Sequence, residues 1–259
     1  MASNNDTIGK TLTVAVSLCV VCSIIVSAAA VMLRPAQQAN KDLDRKSNIL
    51  AAAGISDSSK SVDELFAQIT TRMLDMETGK FTDAVNAEGY DARQAAKDPA
   101  QSIKLTADQD TASIRRQARY MPVYMVESQG EIEKLILPVH GYGLWSTLYG
   151  FIALEGDLNT VGGFGFYEHA ETPGLGGEVD NPVWKNLWQG KSVYAEGSYT
   201  PKLAVIKGKV GAATPDAEFK VDGLSGATLT SVGVSNLVQF WMGENGYAPF
   251  LANLKAGGV

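Results

Sequence analysis

Residues 11–33 form an almost unbroken apolar run with no charged side chain inside it. As a helix the run spans roughly 34 Å at 1.5 Å per residue, enough to cross a bilayer, where only a helix or a closed barrel can satisfy every backbone polar group. Ser27-Ala-Ala-Ala30 has the look of a signal-peptidase site. The run is nevertheless long for a signal core and its leader is barely basic, which favours a retained anchor. Lys10 precedes the run, and Arg34, Lys41, Arg45 and Lys46 follow it. Counted simply, that bias places the following domain in the cytoplasm, but the rule weakens when that domain is long, and Asp42 and Asp44 dilute it. Charge alone leaves the orientation open. The organisation expected is a polar tail at 1–10, a transmembrane helix at 11–33, a stalk and linker at 34–60, and one folded domain at 61–259.

The chain of 259 residues is long enough for one substantial core. Its formal net charge of -6 argues against nucleic acid as a partner. The only cysteines, Cys19 and Cys22, lie inside the apolar run, with no second pair and no nearby histidine. They read as small apolar side chains, and the folded domain has neither disulfides nor thiolate-held clusters of its own.

Beyond the anchor, Ser61-Val-Asp-Glu64 is a capping-box pattern, and Leu65, Ile69 and Met73 supply the face of a short helix. Residues 75–118 are polar and weakly periodic, and predict a loop-rich excursion. Residues 120–127 and 131–137 predict a hairpin about a Ser-Gln-Gly turn. Strands are expected at 146–155, 161–167 and 203–210, a short helix with Trp184 and Trp188 after Asn181-Pro182, and a terminal helix carrying Leu229, Val232, Leu237, Phe240 and Trp241. This order of elements predicts an α+β fold with a mainly antiparallel sheet and flanking helices.

Two loops combine glycine with apolar or aromatic residues: His140-Gly-Tyr-Gly-Leu-Trp145 and His169-Ala-Glu-Thr-Pro-Gly-Leu-Gly-Gly177. A third stretch, Asp222-Gly-Leu-Ser-Gly-Ala-Thr228-Leu-Thr230-Ser231, reads as strand, turn and helix start. Such a turn has three uses. It resembles a nucleophile elbow, with Ala227 where the second glycine belongs, but His140 and His169 both lie upstream of Ser225. It also suits plain helix capping. Finally, it suits a phosphate site or covalent attachment point, because helix N-termini offer unpaired N–H groups and positive potential. The glycine-rich loops favour the last use, since a flat ligand needs apolar walls and close backbone.

The stretch ending Ser225-Gly-Ala-Thr228, with the two loops and the single anchor, resembles the FMN-binding domain family over essentially the whole chain. The resemblance implies FMN joined by a flavin transferase to Thr228 through a phosphoester, with Thr230 as fallback acceptor. It further implies that Ser225, Gly226 and Ala227 adjoin the phosphate, that Trp145 and Leu175 wall the ring, and that Glu171, Thr172 and Gly174 sit at its edges. Asp222 either positions the modifying machinery or caps the turn. No residue is expected to be catalytic, and none to bind metal. No strand–GxGxxG–helix unit is present, since Gly162-Gly-Phe-Gly165 is too short. Hydride entry then belongs to another polypeptide. The function implied is a membrane-anchored flavoprotein that relays electrons in a multisubunit, sodium-pumping NADH:quinone oxidoreductase. Its location would be the bacterial inner membrane, single-pass, with the large domain periplasmic. The alternatives are the flavin-bearing component of the related ferredoxin–NAD electron-transport (RNF-type) complex and a non-redox accessory protein of assembly.

Overall fold

A computed structural model describes residues 7–258. Helix α1 runs over Ile8–Ala53, with Pro35 inside it just past the apolar run. It is the one helix among the described residues long and apolar enough to cross a membrane. The chain divides into two compact units, up to Asp44 and from Arg45 onward. Compaction thus begins ahead of the boundary expected near residue 60. The last turns of α1 bury Ile49, Leu50, Ala52 and Ala53.

In the second unit, α2 (Val62–Phe66) starts with the expected capping box: Ser61 Oγ accepts from the Glu64 N–H, and Glu64 accepts from the Ser61 N–H. The helix expected to continue through Ile69 and Met73 stops at Phe66, and β1 (Ile69–Asp75) follows. Next come β2 (Lys80–Thr82), α3 (Ala92–Lys97), β3 (Ser102–Lys104), β4 (Arg116–Ala118), β5 (Tyr120–Ser128), β6 (Glu131–Tyr142), β7 (Thr147–Glu155) and β8 (Val161–Glu168). The six-stranded sheet has the order β2-β1-β5-β6-β7-β8, every pair antiparallel. The excursion at 75–118 therefore opens and closes on sheet strands, and holds the small β3–β4 ladder.

The period of two sorts side chains to opposite faces. Leu135, Leu137 and Val139 of β6 join one core with Met121, Val123, Leu148 and Ile152, while Ile136 joins Tyr124, Phe151 and Ala153 against the end of α1 and α2. The first face is covered by α4 (Pro182–Asn186), by α5 (Thr228–Met242) and by α6 (Ala248–Lys255). Trp184 lies in α4, and Trp188 lies just beyond it, fully buried and stacked on Phe164 at 3.9 Å. The strand expected at 203–210 shrinks to β9 (Ala204–Val205), which pairs in parallel with β10 (Lys220–Val221). Gly243 ends α5 as expected, and α6 follows after a short turn. The expected α+β, mainly antiparallel architecture is the one found.

Candidate functional site

Helix α5 lies against β6 and delivers the 222–231 stretch to one end of the sheet. Trp241 of α5 donates its indole N–H to the His140 carbonyl at 2.6 Å. Gly233 lets the helix close on the loop after β6, since a Cβ there would lie 2.5 Å from the Tyr142 carbonyl oxygen. Both loops singled out in the sequence meet α5 at this end.

The start of α5 has no side-chain cap. Its N-cap is Ala227, and no side chain bonds the free N–H groups of the first turn. Ser225, expected to cap the helix or bond a phosphate, is exposed and makes no hydrogen bond among the described residues. Local bonding falls instead to Ser231, which accepts from the Leu224 N–H at 3.0 Å and donates to the Ala227 carbonyl at 3.1 Å. Asp222 acts as a turn brace: its carboxylate accepts from the Val210 N–H at 2.8 Å. Gly226 has φ +73°, and a Cβ there would lie 2.9 Å from Leu175 Cδ2, so both the turn and the neighbouring loop require glycine.

The motif's two threonines diverge. Thr228 is exposed at the first helical position, with Leu229 beside it. Thr230, the fallback acceptor expected from the resemblance, is fully buried and donates to Glu171 Oε2 at 2.9 Å.

Glu171, expected at the edge of a ligand, is turned inward and buried. Its Oε1 accepts from the backbone N–H groups of Leu144, Trp145 and Ser146 at 3.1, 2.9 and 3.2 Å. Burial pushes its carboxyl up, but the hydrogen bonds from Trp145, Thr230, Leu144 and Ser146 outweigh burial and hold it below the usual carboxylate range. Thr172 is exposed, and its carbonyl closes the loop by accepting from Leu175 and Gly177 N–H at 3.1 and 2.9 Å. Gly174 is exposed with φ +75° at the loop's tip.

The outcome is an apolar ledge around Thr228. Trp145 is 66% exposed, and Tyr142, Leu175, Leu229 and Val232 are exposed as well. Scattered exposed apolar side chains need no explanation, but several large ones on the segments that meet at an uncapped helix start suit a flat apolar group carrying a phosphate. Two clefts elsewhere on the domain, one near Ala52 and Lys185 and one near Tyr194 and Tyr199, share no residues with this ledge.

The elbow reading fails for want of a base. His169 Nδ1 accepts from the Glu171 N–H at 3.1 Å, and its Nε2 donates to Asp180 at 2.7 Å. His140 stacks on Tyr149 with Trp241 alongside.

Fold and ledge together define an FMN-binding domain. The sequence model of that family, described as FMN-binding domain, matches residues 143–243, which include the Trp145 loop, the Glu171 loop and the Thr228 turn. The chain belongs to the NqrC family of the Na(+)-translocating NADH-quinone reductase. It is 54% identical over 260 residues to the NqrC protein of Pseudomonas aeruginosa, covering 98% of this chain and 99% of the relative. The Vibrio anguillarum counterpart is also 54% identical, with both chains covered completely, and that of Yersinia pestis is 47% identical over 99% of this chain and 96% of its own. The crystal structure of Shewanella oneidensis NqrC matches with a TM-score of 0.77 at 33% identity, covering 84% of this chain and 99% of that one.

Proposed function

We propose that this chain is a membrane-anchored FMN flavoprotein subunit of a sodium-translocating NADH:quinone reductase, and that its FMN is esterified through phosphate to Thr228. The observation that carries the attachment is the contrast between the two threonines of one helical turn: Thr228 is open at an uncapped N-terminus, and Thr230 is buried and bonded. High identity to NqrC relatives along the full chain favours this reading over the ferredoxin–NAD complex or an accessory role.

Bound FMN supplies reversible one- and two-electron chemistry. This chain's residues provide the seat. The first-turn N–H groups of α5 and the positive end of its dipole receive the phosphate. Gly226 keeps the approach to Thr228 clear of side chains. Trp145, Leu175 and Leu229 offer apolar surface to the ring and exclude water from the side they cover. A flavin transferase installs the ester, and other subunits supply and remove electrons. The helix at the N-terminus makes the protein single-pass, and we place it in the bacterial inner membrane with the large domain periplasmic.

The test is a denaturing gel of the protein from cells that contain the transferase, viewed under ultraviolet light. A fluorescent band that disappears in Thr228→Ala supports the proposal. A dark wild-type band, or a Thr228→Ala chain that still fluoresces, overturns it.

A further inference from the structure

A buried carboxylate is costly unless its oxygens are paired. Glu171 is 5% exposed and fully committed. Three successive backbone N–H groups, of Leu144, Trp145 and Ser146, point at Oε1 from 3.1, 2.9 and 3.2 Å. This is the arrangement that elsewhere holds a bound anion, here filled by the protein's own side chain. The other oxygen, Oε2, takes the Thr230 hydroxyl at 2.9 Å. The backbone N–H of Glu171 is fixed in turn by His169, which is anchored on Asp180. The fit leaves no slack: a Cβ at Gly176 would lie 2.6 Å from Thr230 Oγ1 and 2.8 Å from Glu171 Oε2.

One side chain therefore ties three segments that are distant in sequence. It holds the backbone of Trp145, its own loop with Leu175, and the first turn of α5 two residues past Thr228. We infer that Glu171 is a positioning residue: without touching the ligand, it clamps Trp145 and Leu175 against α5 and so sets the pose of a flat ring tethered at Thr228. The inference rests on the reading of Thr228 as the FMN site, but the clamp itself can be tested without flavin.

The experiment uses the full chain in detergent, with far-ultraviolet circular dichroism to verify folding. In a Thr228→Ala background, amide hydrogen exchange at 144–146 is compared for Glu171, Glu171→Ala, Glu171→Gln, Thr230→Val and Thr230→Ser. Glu171→Ala is expected to speed exchange at those three amides at least about tenfold, the scale of a lost charge-assisted hydrogen bond, with amides of β6 and β7 unchanged. Glu171→Gln keeps a carbonyl oxygen for the three N–H groups but cannot accept from Thr230, so it should retain that protection. In chains matured with the transferase, Glu171→Ala is expected to keep its flavin content and lose most of the visible circular dichroism of the bound flavin. Thr230→Val and Glu171→Gln should fall between, and Thr230→Ser should restore the wild-type signal. A folded Glu171→Ala chain with unchanged exchange at 144–146 and an unchanged flavin signal overturns the inference. If Glu171→Ala does not fold, Thr230→Val decides: an unchanged flavin signal overturns it. If the wild type carries no covalent flavin, the functional proposal falls, and the exchange arm still supports or overturns the clamp.

Discussion

Thr230 donates its hydroxyl to Glu171 across 2.9 Å, joining residues 59 positions apart, while Thr228 on the same helical turn faces solvent. Removing the buried donor strands a carboxylate oxygen. Thr230→Val is expected to destabilise the domain by about 1–3 kcal/mol, and Thr230→Ser to recover most of the loss. Urea unfolding followed by tryptophan emission checks this; a neutral Thr230→Val would mean the bond contributes little.

The end of α1 is pressed on the sheet at Gly163 of β8, where a Cβ would lie 2.2 Å from the Ala52 carbonyl oxygen. Backbone cannot swing aside as a long side chain can. Gly163→Ala should therefore cost about 1–3 kcal/mol through overpacking. Gly211→Ala, where nothing lies within 4 Å of the added Cβ, should be close to neutral. Paired denaturation curves distinguish the two sites.

Burial pushes His140 down from 6.5 to about 4, and the Arg93 charge adds to the effect. Its folded pKa lies below its unfolded one, so the unfolded chain binds more protons between those values. Stability should then be level above about pH 6.5 and fall as pH drops toward 4, by on the order of 3 kcal/mol for this residue. Glu171 loses its contribution only at lower pH, below the ordinary glutamate range of about 4.3. The slope between pH 6.5 and 5 therefore includes the His140 contribution. His140→Phe keeps the stack on Tyr149 and should flatten that slope; an unchanged slope would assign it to other groups.

Much of this fold is legible from pattern. The anchor, the capping box at Ser61, the β5–β6 hairpin and α5 each carry a strong period or punctuation. Strand β1 is not legible. Leu65, Ile69 and Met73 are spaced by four, which suits one helical face, but Ile69, Thr71 and Met73 also share one face of a strand, with Thr70 and Arg72 exposed on the other. Pairing with β5 inside the sheet decides between the two periods. Of the site, the three stretches are visible, and resemblance points to Thr228. The inward turn of Glu171 is not visible, because its partners lie 25 to 59 residues away and no local rule links them. Ser225 suits capping by residue type, yet the helix begins later in the chain, after Ala227, and leaves its hydroxyl outside the first turn.

Orientation is decided by accessibility. In a chain with Cys19→Ser and Cys22→Ser, Glu131→Cys places one thiol at the exposed start of β6, next to the Gln129-Gly130 turn. An impermeant maleimide is expected to label it in intact cells as fully as in permeabilised ones. Labelling only after permeabilisation would place the domain in the cytoplasm.

Everything proposed for the ledge depends on Thr228 alone receiving the flavin. Mass spectrometry of the peptide spanning 222–231, from protein matured in transferase-containing cells, reads this without an intermediate step. One FMN phosphoester per chain is expected, with fragmentation placing it on Thr228 and none on Thr230 or Ser225. An unmodified peptide, or a flavin located on Thr230, would contradict the assignment.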